Sequence, residues 1–76
     1  MPSSTLLRAL GEELRERRNK LGVSQEAFAH EAGVHRNVIG LVERGTDNLT
    51  LDTLIKIAAA LDVRVSELIA AAERRR

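Results

Sequence analysis

The sequence holds 76 residues with a formal net charge of +1, 43% apolar and 30% charged side chains, and no cysteine. That length gives one domain, the lack of cysteine excludes a disulfide framework, and two histidines without cysteine argue against a structural zinc site. A domain this small buries only about 60–65% of the surface its unfolded chain exposes, so regular helix packing and oligomerisation must make up for a modest core.

No apolar run approaches the roughly 20 residues that cross a membrane. The opening "MPSSTLLRALGEEL" carries acids within its first apolar stretch and has no long hydrophobic region, so it does not read as a secretory signal and the cytoplasm is the expected location. Charge is nearly balanced in total but not along the chain. Between Arg8 and Arg44 stand seven bases (Arg8, Arg15, Arg17, Arg18, Lys20, Arg36, Arg44) against six acids. Between Gly45 and Glu73, Lys56 and Arg64 face five acids. Such a distribution permits one positive face on a near-neutral protein.

Ser3 and Ser4 are candidate N-caps for a first helix over about 5–20, in which Leu7, Leu10, Leu14 and Leu21 recur at helical spacing before Gly22 stops it. The stripe is interrupted at Arg17 and Arg18. Ser24 caps a second helix, Gln25–Ala32, with Phe28, Ala29 and Ala32 inward, and Gly33 ends it. His35 caps a third, Arg36–Arg44, closed by Gly45. After the polar "TDNLT" turn, Thr50 caps a fourth helix whose Leu54, Ile57, Ala58 and Leu61 keep the i, i+3, i+4, i+7 pattern. Ser66 is expected to cap a fifth helix containing Leu68 and Ile69. No segment alternates with the period of a strand. The fold class is all-α, a compact five-helix domain over residues 1–73, followed by the arginines at 74–76 as a disordered basic tail.

The very short connection at Gly33 suits the steep crossing of a helix-turn-helix, whose second helix enters the major groove of DNA. On the third helix Val38, Ile39 and Val42 form one side, while Arg36, Asn37, Gly40, Leu41 and Arg44 lie largely on the other. Arg36 and Asn37 occupy the first turn, the part of a recognition helix that reaches base edges. Arginine bonds guanine O6 and N7 as a fork, and asparagine pairs with adenine N6 and N7. Gly40 costs roughly 1 kcal/mol inside a helix. It provides either clearance beside the groove or room for tight protein packing. Leu41 offers apolar surface to a thymine methyl.

The stretches "VSQEAFAHEAGVHRNVIGLVERG" and "NLTLDTLIKIAAALDVRVSEL" resemble the phage repressor and Cro (XRE-type) helix-turn-helix family, with its lambda-repressor-like DNA-binding domain. The likeness is strongest to small stand-alone regulators such as restriction–modification controller proteins, and runs from about Leu10 to Leu68. It implies that Arg36 and Asn37 face bases, and that Gln25, Arg44 and Asn48 face phosphate. It also implies a buried ion pair between Arg18 and Glu43, which would explain why Arg18 breaks the leucine stripe. Two positions depart from the family pattern. Arg17 replaces an apolar residue and is either exposed or reaches a phosphate. His35 replaces Ser, Thr or Asp as a cap and adds a candidate phosphate contact.

Together these features imply a homodimeric transcriptional regulator of a pseudo-palindromic duplex-DNA operator. Its dimer surface is expected from Ile55, Val65, Leu68 and Ile69. An antitoxin that neutralises a partner toxin, or a coactivator-type interaction module, is the competing reading; a contact with RNA polymerase is left open. No G-x-S-x-G, P-loop or paired-carboxylate motif occurs and neither histidine has a nucleophile partner, so no enzyme, metal or cofactor is expected. Phe28 is the sole aromatic and belongs to the core pattern, which counts against an RNA or single-strand binder.

Overall fold

The computed structural model describes residues 3–46 and 49–75. They form five helices in order: α1 (Ser3–Leu21), α2 (Gln25–Ala32), α3 (Arg36–Arg44), α4 (Leu51–Leu61) and α5 (Val65–Arg74). No strand occurs among the described residues, and the domain is all-α.

Local chemistry sets most of the boundaries. The Ser24 hydroxyl accepts from the Ala27 N–H at 3.0 Å, and the Thr50 hydroxyl from the Thr53 N–H at 3.1 Å. Each satisfies one of the amide groups that a helix start leaves without an intrahelical partner. His35 caps α3 with its ring, Nδ1 accepting from the Asn37 N–H at 3.1 Å. At the other ends Gly33 (φ 75°) and Gly45 (φ 66°) take the left-handed conformation that closes α2 and α3.

Two starts differ from the sequence expectation. Helix α1 begins at Ser3, so both serines lie within it rather than ahead of it. Helix α5 begins at Val65, with Arg64 rather than Ser66 as N-cap. Asp62 adopts φ 58° and ends α4 at once, which leaves a three-residue link from Asp62 to Arg64. Ser66 thereby falls in the first turn, and the Glu67 carboxylate reaches back to accept from the Arg64 N–H at 3.2 Å.

One apolar cluster joins all five helices, through Leu10 and Leu14, Phe28 and Ala29, Ile39 and Val42, Leu54 and Ile57, and Leu68 and Ala72. Helix α1 packs on α3 and α5, α2 packs on α3 and α4, and α4 packs on α5. Ile39, Ile57 and Leu68 are the largest fully buried side chains and come from three different helices. Burying each contributes about 1.5–3 kcal/mol. Leu21, expected to continue the leucine stripe, is 56% exposed in the last turn of α1, beyond the edge of this core. The inner side of α3 is thus fixed by Ile39 and Val42, and its outer side is left to solvent.

The chain's end also differs from the tail expected at 74–76. Arg74 closes α5, and Arg75 folds back on α1, its Nε donating to Glu13 at 2.8 Å and its Nη2 to Glu16 at 2.6 Å. Arg76 lies outside the described residues. Burial pushes the Glu13 carboxyl up, but hydrogen bonds from Arg75 and Arg17 outweigh it and hold Glu13 below the ordinary value of 4.5. The Arg75 hydrogen bond, then its charge, lowers Glu16 as well. Carboxyls lowered by folding add stability above their unfolded pKa, and this is lost as pH falls through the lower folded values. The stability difference between the wild type and Arg75→Ala should therefore be present at neutral pH and shrink as pH falls below the ordinary carboxyl value of 4.5. Urea titrations at neutral and acidic pH check this, and a constant difference would contradict the Arg75 contact with Glu13 and Glu16.

Candidate nucleic-acid interface

The first turns of α2 and α3 meet across the three-residue link from Gly33 to His35, and between them lies an open depression. Ser24, Gln25 and Glu26 line its α2 side; Arg36, Asn37, Gly40, Leu41 and Arg44 line its α3 side. The four base-reading candidates Arg36, Asn37, Gly40 and Leu41 therefore share one surface, together with the phosphate candidates Gln25 and Arg44. His35 is exposed at the head of α3, beside that surface. Because its Nδ1 accepts from Asn37, the neutral ring carries its hydrogen on Nε2, which is left as a donor. Asn48 lies outside the described residues.

Beneath the depression sits an ion pair. Arg18 Nε donates to Glu43 Oε2 at 2.6 Å and Nη2 to Glu43 Oε1 at 3.1 Å, a two-point contact, while Arg18 Nη1 donates to the Val23 carbonyl at 2.7 Å. The side chains are only 10% and 5% exposed, so the charges are largely removed from water. The Glu43 hydrogen bond raises the Arg18 pKa above its ordinary value in spite of burial. Every buried side-chain polar atom among the described residues has a partner. Glu43 Oε1 also accepts from Gln25 Nε2 at 2.9 Å. A single carboxylate thus ties α1 to α3 and holds the amide that opens α2.

Gly40 does not provide close packing between backbones. A Cβ there would meet only the ends of two side chains, Arg44 Nη1 at 3.5 Å and Gln25 Oε1 at 3.7 Å, both ordinary contacts. Gly40 is buried beneath those two side chains, at the floor of the depression.

One site expectation is corrected, and one residue lies apart from the rest. Arg17 is bonded to Glu13 and lines a different hollow, with Lys20, Leu21 and Leu61, away from the α2–α3 surface. Leu68 is 0% exposed and belongs to the domain's own core, so it has no area to offer a second copy. Of the other dimer candidates, Ile55 is 50% exposed, and Val65 and Ile69 pack half-buried at the core's edge.

Three features escaped the sequence reading. Leu51, one turn before Ile55 on α4, is 66% exposed. Gly11, in the middle of α1, lies against the α3 backbone. Glu26 Oε2 accepts from Arg36 Nη1 at 3.1 Å across the turn. An acid beside Gln25, on a face read as phosphate-seeking, was the signal that could have revealed the last of these.

Comparison with known proteins places these features. A helix-turn-helix family model matches residues 14–68. Control protein C.SmaI of Serratia marcescens is 47% identical over 60 residues, covering 79% of this chain and 71% of that protein. Control protein C.BamHI of Bacillus amyloliquefaciens is 42% identical over 60 residues, covering 78% and 74%. The crystal structure of the restriction–modification controller protein C.AhdI from Aeromonas hydrophila superposes with a TM-score of 0.78 at 44% identity, covering 82% of this chain and 94% of that one. The clp gene regulator ClgR from C. glutamicum gives a TM-score of 0.83 at 28% identity, covering 91% and 88%. No helix among the described residues is long and apolar enough to cross a membrane. The chain belongs to the helix-turn-helix family of DNA-binding transcription regulators, and within it is related to the restriction–modification controller proteins.

Proposed function

We propose that this chain is a controller-type regulator that binds an operator as a homodimer, with α3 in the major groove of each half-site. The observation that carries this reading is the shared depression, where Arg36 and Asn37 in the first turn of α3 flank a residue with no side chain. Arg36 and Asn37 read base edges, and Leu41 meets a thymine methyl. Gln25, at the head of α2, sits where unpaired N–H groups favour a phosphate, with His35, Arg44 and Asn48 as further phosphate contacts. The similarity to the control proteins C.SmaI and C.BamHI supports a role in transcription control.

One copy presents a single short recognition helix, too small an interface for high specificity. Leu51 and Ile55, exposed one turn apart on α4, with Val65 and Ile69 at the start of α5, give a second copy an apolar surface to cover. Selection of bound duplexes from random DNA should return inverted half-sites about one helical turn, ~34 Å, apart. Sedimentation should give twice the chain mass. Arg36→Ala should cost about 1–3 kcal/mol and relax preference at one base pair, whereas Gln25→Ala should weaken all sequences alike. Unaltered affinity and preference in Arg36→Ala would overturn the reading.

Gly40→Ala separates the two uses of that glycine. Its Cβ meets nothing closer than 3.5 Å, so the variant should gain up to about 1 kcal/mol of helix stability. It should also bind the selected duplex less tightly. Thermal melts and a DNA titration of one preparation measure both, and lower stability would count against clearance as its role.

A further inference from the structure

We propose that Glu26 is a specificity-determining residue that positions Arg36, an inference resting on the reading of Arg36 as the base-contacting arginine. Glu26 stands in the first turn of α2 and Arg36 in the first turn of α3, and their side chains meet at 3.1 Å across the turn. Both are largely exposed, at 74% and 67% of their side-chain surface. An ion pair so exposed contributes little to folding, so its consequence lies at the surface it shapes.

A carboxylate on a face that meets polyphosphate repels its ligand. That cost is offset only if the carboxylate directs something else there. Arginine has two competing partners at a groove, the phosphate oxygens on either side and the guanine edge between them. Glu26 takes hydrogen bonding from Nη1 and leaves the Nε and Nη2 hydrogens, which form a parallel fork on one edge of the planar guanidinium. That fork matches guanine O6 and N7. Arg36 is also partly neutralised before contact, which weakens its pull toward any phosphate. Glu26 thus lowers sequence-independent attraction and holds the reading edge in place. Its effect on Arg36 is to trade general affinity for discrimination.

The acid also stands where a helix start favours negative charge. If that were its whole role, Glu26→Ala would lower thermal stability slightly and leave base preference unchanged. The test measures affinity for the duplex selected from random DNA, for its single-base variants and for unrelated DNA. Wild type, Glu26→Ala, Glu26→Gln, Arg36→Ala and the Glu26→Ala/Arg36→Ala double variant are compared. Ratios between duplexes are insensitive to the folded fraction of any variant. Glu26→Ala should lose about fivefold or more of the discrimination at the base pair that Arg36→Ala identifies. It should bind unrelated DNA more tightly, with a salt slope steeper by about one released counterion as Arg36 turns to phosphate. The double variant should discriminate no worse at that pair than Arg36→Ala alone, because one residue acts through the other. Glu26→Gln, whose amide oxygen still accepts from Nη1, should keep most of the discrimination. If Arg36→Ala loses preference and Glu26→Ala does not, the positioning role fails while the interface stands. A Glu26→Ala effect confined to a different base pair overturns it too, since Glu26 would then read a base itself. If Arg36→Ala keeps full preference, the reading of this face fails first.

Discussion

Glu43→Ala should lower the unfolding free energy by about 3–5 kcal/mol, because it leaves the Arg18 guanidinium buried without its counter-charge. A domain of this size holds about 4–11 kcal/mol in total, so the variant should be largely unfolded at growth temperature or melt tens of degrees lower. The geometry explains why the loss exceeds that of an ordinary ion pair. Glu43 receives two hydrogen bonds from Arg18 and one from Gln25, and its side chain is 5% exposed. Removing it strands the buried Arg18 donors of α1 and frees the exposed Gln25 amide at the head of α2. The apolar double variant Arg18→Met/Glu43→Leu should recover much of the loss, since a well-packed apolar pair can equal a buried ionic one in stability. The recovered protein should still bind DNA less well, because Gln25 would have lost the acceptor that holds its amide. Circular-dichroism melts and urea titrations decide the first part, and an unchanged melting temperature in Glu43→Ala would refute the role given to the pair.

Which features the sequence made legible follows from how local their causes are. Ser24, Thr50 and the glycines at 33 and 45 act within a few residues, so the extents of α2, α3 and α4 could be read directly. Arg18 breaks a leucine stripe, and a charge on a buried face requires a partner, so the sequence marks the residue without naming the partner's element. The start of α5 was not legible, because the Glu67 carboxylate caps the Arg64 N–H and places Ser66 inside the first turn. Leu68 is a different failure. In a ten-residue helix, periodicity marks an apolar side without saying whether that side meets the domain's own core or a second copy. The meeting of Glu26 with Arg36 depends on how two helices cross, and residues ten apart in sequence carry no periodic sign of it. Arg17 breaks the same stripe, yet its position in a hollow with Leu61 of α4 is set by packing that the sequence pattern does not carry.

Gly11→Ala is the second substitution with a large expected effect, and the comparison with Gly40 shows why. Both glycines lie inside helices, where alanine is the better helix former by about 1 kcal/mol. At Gly11 a Cβ would sit 2.6 Å from the Glu43 carbonyl oxygen and 2.9 Å from its carbonyl carbon, and against the Val42 carbonyl as well. These are backbone atoms and cannot swing aside, so α1 would have to move away from α3. The next turn up leaves no slack: a Cβ on Gly45 would lie 2.6 Å from the Arg8 Cα. The two glycines thus let the α1 backbone touch the end of α3, which is where Glu43 is presented to Arg18. Overpacking of this kind costs about 1–3 kcal/mol, occasionally more. Separation of the helices would lengthen the two-point Arg18–Glu43 contact as well, so the helix-propensity gain should be overwhelmed and the net loss should reach about 2 kcal/mol or more. For a domain of this length that is a fall of about 8–16 °C in melting temperature. Gly40→Ala, measured alongside, should move the other way. If Gly11→Ala melts at or above the wild type, α1 and α3 do not meet through their backbones in solution, and the proposed support for Glu43 would have to be sought elsewhere.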